Sequence, residues 1–149
     1  MAVRSGMGDS PKIKLVIPSK LTELPKVQQA IIQPVQAHGY GQEEVFAIRL
    51  ALDEAVTNAI HHGNANDPNK HVTIEYRIDD QAVRIDVTDE GCGFCPDQLP
   101  DPRLKDNLTT PHGRGVMLIQ AYMTEVRFNR RGNCISMVKR KGCKLPARD

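Results

Sequence analysis

Glu54, Asn58 and His62 recur at four-residue steps, so on a helix they stand in a row, each about 6 Å further along the axis. The row lies beside an apolar stripe rather than opposite it. A carboxylate, a carboxamide and an imidazole held there are costly unless they meet partners, although the same spacing also describes a solvated helix edge. A second group, Asp89-Glu90-Gly91-Cys92-Gly93, follows directly on a strand-like run ending at Thr88. There the Asp carboxylate could accept a hydrogen bond from a ligand, while alternating glycines let backbone come close to it. The same residues also make an ordinary permissive turn. The third group is Gly113-Arg114-Gly115, ahead of helical spacing that begins at Val116. Glycines entering a helix N-terminus offer free N–H groups and the positive end of the helix dipole, and Arg114 adds a cation, a combination suited to phosphate. A plain flexible helix entry reads the same way.

The elements that must position these groups follow from periodicity. Residues 1–11 are polar and are expected to fray. Ile13, Leu15 and Ile17 alternate in a strand stopped by Pro18. Ser19 stands where an N-cap belongs, ahead of Leu21, Leu24, Val27, Ala30, Ile31 and Val35 at helical spacing, and Pro34 is expected to kink or loosen the end of that helix. After His38-Gly39-Tyr40-Gly41, a second helix starts at Gln42 with the stripe Val45, Ile48, Leu52, Val56 and Ala59, and Gly63 closes it. Runs 71–78 and 82–88 around Asp79-Asp80-Gln81 predict a hairpin. Between Gly91 and Gly115 the chain has four prolines, four glycines and no period, and a loop of that length in a compact domain is normally functional or mobile. Helical spacing returns at Val116, Leu118, Ile119 and Tyr122, and strands 125–129 and 134–138 flank the turn Arg130-Arg131-Gly132-Asn133. The order β-α-α-β-β-loop-α-β-β predicts a two-layer α/β sandwich, helices on one face of a mixed, mostly antiparallel sheet.

Composition narrows the classes. At 149 residues and 16.6 kDa, 40% hydrophobic and 26% charged, the chain fits one globular domain, expected over residues 12–141, with 142–149 as a basic tail. A chain of this size buries roughly 70% of its unfolded surface and needs no disulfide or metal staple. Aromatics are 4% and Trp is absent, which argues against a stacking platform for single-stranded nucleic acid. The net charge of +2 is too small to argue for a polyanion partner. Arg127, Arg130, Arg131, Lys139, Arg140, Lys141, Lys144 and Arg148 read as a solvated edge or as a surface for an acidic protein. No apolar run approaches membrane-spanning length and the start lacks an apolar signal core, so no membrane segment is expected and a cytoplasmic location is. Cys92-x2-Cys95 with His112 or Cys134 invites a zinc reading, but no second close pair accompanies it.

Taken in order and spacing, Glu54-x3-Asn58, Asp89-x-Gly91-x-Gly93, the long Pro/Gly-rich loop and Gly113-x-Gly115 resemble the N, G1 and G2 boxes of the gyrase, heat-shock chaperone and histidine-kinase ATPase superfamily (GHKL), whose fold is the Bergerat α/β sandwich. Within it, ALDEAVTNAIHHGNANDPNK, VTDEGCGFCPDQLPDP and HGRGVMLIQAYMTEVRFNRRGN look like the short anti-sigma factor serine/threonine kinases. The resemblance covers about residues 12–141.

That resemblance implies an ATP site with Mg²⁺. Asn58 matches the asparagine that holds the cation, and Glu54 the general base that takes a proton from an attacking serine hydroxyl. Asp89 matches the acceptor of the adenine amino group, and Gly91 and Gly93 permit close approach and start the lid. Gly113, Arg114, Gly115 and the N–H of Val116 match its phosphate-wrapping end. His62 falls at a matching position, as support or as ligand contact. The implied partners are a sigma factor and an anti-anti-sigma (STAS-type) antagonist phosphorylated on serine, with no nucleic acid, and the implied assembly is a homodimer; the first strand and helix, for their exposed edge character, are the surface expected for it. No P-loop stretch occurs, so charge neutralisation would fall to Mg²⁺, lid amides and Arg114. Two other functions fit the same pattern. One is a nucleotide-binding interaction module without catalysis, using the basic C-terminal strands with Met117 and Met123; the other is a detached histidine-kinase catalytic domain.

Overall fold

A computed structural model of the chain describes residues 10–91 and 111–142, the side chains of 111–115 excepted. Its elements are β1 (Ile13–Pro18), a 3-10 turn (Leu21–Glu23), α1 (Leu24–Ala37), α2 (Gln42–Asn58), a π-helical turn (Ala59–Gly63), β2 (His71–Ile78), β3 (Ala82–Thr88), α3 (Pro111–Tyr122), β4 (Glu125–Phe128) and β5 (Cys134–Arg140). The five strands form one sheet in the order β1-β2-β3-β5-β4, antiparallel at every pairing.

Alternation along the strands sends one face to the core. Ile74 pairs with Val87 and Tyr76 with Ile85, and Ile85 and Val87 pair onward with Met137 and Ile135. All of these are buried, together with Val27, Ile31 and Val35 of α1, Ile48, Leu52 and Val56 of α2, and Ile119 of α3. Each full burial of a Val, Leu or Ile contributes about 1.5–3 kcal/mol, so the stripes on α1 and α2 together hold the helical layer on the sheet. α2 lies between α1 and α3 and packs on both. Its alanines Ala47, Ala51 and Ala55 are buried, and their small side chains let neighbours approach closely.

The local signals act with some differences. Gly39 ends α1 with φ +84, the left-handed cap that glycine adopts without strain. The Glu44 carboxylate accepts the Gly41 N–H at 2.7 Å, satisfying one of the free donors at the start of α2. Pro34 lies inside α1, which runs on to Ala37; so close to the C-terminus its missing N–H removes a single helical bond. Ser19 is not a helix cap: the 3-10 turn starts after Lys20 with no side-chain cap, and the Ser19 hydroxyl donates instead to Lys70 O at 2.9 Å. α3 begins at Pro111, five residues before the expected start at Val116, because proline's fixed φ suits a first helical position.

Two side chains expected at the surface are buried. Lys139 is 3% exposed, its ammonium donating to Tyr122 O at 2.7 Å at the carbonyl end of α3, where a cation is favoured. Met123 belongs to the core, whereas Met117 is 66% exposed; of the two methionines considered for partner capture, only Met117 is available. No helix among the described residues is long and apolar enough to cross a membrane.

Candidate functional site

The π turn that continues α2 builds one wall of the site. Asn64 N–H reaches back five residues to Ala59 O at 2.8 Å, the wider spacing of a π bulge, which recurs at functional sites. The turn carries His62, one step beyond Asn58. It also brings Gly63 against the turn after β3. A Cβ on Gly63 would stand 2.2 Å from Asp89 Cγ, and one on Gly91 would stand 1.7 Å from Gly63 O. Only glycines allow this approach.

Between these elements lies a pocket. Asn58 and His62 line it from the helix, Asp89 from the end of β3, Val116 from α3, and Phe128, Gly132, Asn133 and Cys134 from the β4–β5 hairpin, over an apolar floor of Ala55, Ala59, Val87 and Ile135. Burial raises the Asp89 pKa, against the opposing pull of the Gly91 N–H, Arg131 and Lys70. Its Oδ1 accepts the Gly91 N–H at 2.8 Å; Oδ2 has no hydrogen-bond partner among the described residues and remains free to accept one from a ligand. Asn58 makes no side-chain hydrogen bond among the described residues either, so its carboxamide oxygen is open to a hard cation. Burial and the neighbouring His61 lower the His62 pKa, which keeps that imidazole neutral near pH 7. His61 itself pairs with Asn66 Oδ1 at 2.5 Å and does not line the pocket.

Glu54 lies one turn before Asn58 and is partly buried, but it does not line the pocket. Burial, then the adjacent Asp53, raise its pKa, the direction that makes a carboxylate a better proton acceptor near neutral pH. The backbone places Gly113, Arg114 and Gly115 within the first five residues of α3. Gly93, with Cys92, Cys95 and Cys143, lies outside the described residues. Cys134 is a free thiol whose pKa burial pushes up.

Sequence reasoning missed the residues that hold the acidic turn in place. Asn64 is fully buried: its Oδ1 accepts the Glu90 N–H at 2.7 Å, and its Nδ2 donates to Ser19 Oγ at 2.7 Å and His71 O at 2.9 Å. From the other side Asn133 O accepts the Asp89 N–H at 2.9 Å, and Asn133 Nδ2 donates to Asp89 O at 3.1 Å. Both asparagines sit in stretches dense in turn formers, where one more Asn carries no distinct signal.

The fold and pocket define a class that comparison makes definite. The histidine kinase-like ATPase domain family matches residues 17–139, and the chain belongs to that family. It is 40% identical over 88 residues to an anti-sigma F factor of Geobacillus stearothermophilus, covering 56% of this chain and 59% of the relative. It is 31% identical over 108 residues to the serine-protein kinase RsbW of Bacillus subtilis (strain 168), covering 68% of each. The chain thus spans about three fifths of the length of the anti-sigma F factors it matches. A crystal structure of the RsbU and RsbW domains of a Mycobacterium tuberculosis protein superposes with a TM-score of 0.60 at 18% identity, over 93% of this chain and 34% of that one. It shares the fold.

Proposed function

We propose that this chain is an ATP-binding anti-sigma regulatory factor with serine/threonine protein kinase activity, working through a domain over residues 12–141. It phosphorylates a serine of a STAS-type anti-anti-sigma antagonist and sequesters a sigma factor in a partner-switching system. The observation that carries this reading is the convergence of Asn58, Asp89 and Val116, from three separated segments, on one pocket. The names of the relatives, an anti-sigma F factor and a serine-protein kinase, support it.

In this reading Asp89 Oδ2 accepts from the adenine amino group, and the base slides over the apolar floor. Backbone amides at the start of α3 would face the phosphates, and Arg114 would add a positive charge for them. The Asn58 oxygen would hold Mg²⁺, which when bound neutralises charge on the phosphates. His62, neutral, supports the pocket wall without adding charge. Glu54 takes the proton of the incoming serine hydroxyl as its oxygen bonds to the γ-phosphorus and the bond to the ADP oxygen breaks.

The test is transfer of radiolabel from γ-labelled ATP to a cognate STAS antagonist. Glu54→Gln is expected to abolish transfer while nucleotide binding stays as in the parent. Transfer undiminished by that change would reject the mechanism.

A further inference from the structure

Asp89 can read a base only if its carboxylate stays where it is, and the turn that carries it belongs to no helix or strand. Beyond Thr88 the β3–β5 ladder ends, its last pair being Thr88 with Cys134. Besides the His71 N–H, which donates to Glu90 Oε2 at 3.0 Å, three ties hold the backbone of the next residues. Asn133 grips the Asp89 backbone at both polar atoms: its backbone carbonyl accepts the Asp89 N–H at 2.9 Å, and its side-chain Nδ2 donates to the Asp89 carbonyl at 3.1 Å. Asn64 takes the next amide, Glu90 N–H, at 2.7 Å. The third tie is steric, Gly63 O against Gly91.

Neither asparagine is free to drift. Asn64 is wholly buried, and its amide orientation is fixed by its partners, since the Glu90 N–H needs an oxygen and His71 O needs a donor. Asn133 is locked by Asn129, whose Nδ2 donates to Asn133 Oδ1 at 2.7 Å and whose Oδ1 accepts the Gly132 and Asn133 N–H groups at 2.7 and 3.0 Å. Two rigid amides from opposite sides of the sheet end therefore hold a turn of three residues.

We infer that Asn64 and Asn133 are positioning residues: they clasp the Asp89–Gly91 turn from its two sides and thereby set the preference of the pocket for a base bearing a 6-amino group. This rests on the reading of the pocket as an adenine site. Displacing a recognition group by as little as an ångström weakens what it contributes, so loosening the clasp costs discrimination between bases.

The experiment compares binding of ATP and of inosine triphosphate, which carries a 6-keto oxygen where ATP has the amino group. Calorimetry is run on the parent, Asn64→Ala, Asn133→Ala and Tyr40→Phe. Tyr40→Phe is the stability control, removing a buried hydrogen bond to Asp79 O, at 2.6 Å in the parent, from a residue that does not line the pocket. The two clasp variants are expected to lose about tenfold in the ratio of ATP to ITP affinity, the scale of one hydrogen bond, while Tyr40→Phe keeps the parent ratio. Should the buried Asn64 variant fail to fold, Asn133→Ala, at a partly exposed position, carries the comparison alone. A parent that prefers ATP, with a folded Asn133→Ala that keeps the full preference, overturns the clasp. Equal loss in Tyr40→Phe overturns it too. A parent that binds neither nucleotide overturns the proposed function, and the clasp's role in selectivity with it.

Discussion

Gly91 and Gly63 meet backbone to backbone: a Cβ on Gly91 would stand 1.7 Å from the Gly63 carbonyl oxygen. Backbone cannot swing aside as a flexible side chain can, so Gly91→Ala must move either the π turn or the Asp89 turn. The expected cost is about 1–3 kcal/mol, the usual range for overpacking, read as a lowered midpoint in denaturant. Affinity for ATP should fall in the same variant, because both displaced elements line the pocket.

Asp89 links acidity to both stability and binding. Its folded pKa is raised by burial, so this group favours the fold fully below the ordinary aspartate range, and that contribution is lost as pH rises through the raised folded value. Asp89→Asn removes the burial penalty and should melt no lower than the parent at pH 7. It should nevertheless bind ATP more weakly, since an amide NH₂ in place of Oδ2 opposes the adenine amino group. In the parent, ATP affinity should decline on acidification from a pH above the ordinary aspartate range. Melting curves and calorimetry across pH 4–8 check both.

Glu54 must be ionised to accept a proton. Because burial and Asp53 raise its pKa, single-turnover phosphate transfer should rise with pH through a midpoint above the ordinary glutamate range. Asp53→Asn removes one of the two causes and should move that midpoint down. A midpoint unmoved in Asp53→Asn would remove Asp53 as a cause.

Lys139 gives a prediction away from the pocket. Lys139→Met keeps most of the buried stem but withdraws the donor from Tyr122 O. Losing a hydrogen bond from a charged donor costs about 1.5–3 kcal/mol, so thermal stability should drop while ATP binding is retained.

Periodicity made much of this architecture legible. The α2 stripe of Ile48, Leu52 and Val56 is buried as its spacing implies, and the 71–78 and 82–88 runs pair as a hairpin. Those signals are local: each residue's neighbours in sequence are also its neighbours on a face. Asn58, His62, Asp89 and Val116 could be proposed together only through a motif, because no local rule brings helix, strand end and distant helix to one pocket. Ser19 misled because an N-cap and a hydroxyl tied to Lys70 O look identical in sequence. Asn64 and Asn133 were hidden for the same reason, as their partners lie 26 and 44 residues away. The π turn leaves no trace in a pattern counted at 3.6 residues.

The strand order has a consequence for how the chain is made. β5, the last of the five strands to be synthesised, fills the slot between β3 and β4. Until it emerges from the ribosome, β3 ends the sheet with its outer hydrogen-bonding groups bare and the apolar floor under the Asp89 turn half built. A growing chain stalled before Cys134 therefore exposes a sticky, unfinished edge of the kind that chaperones shield, and the nucleotide pocket can form only after nearly all of the domain has been translated.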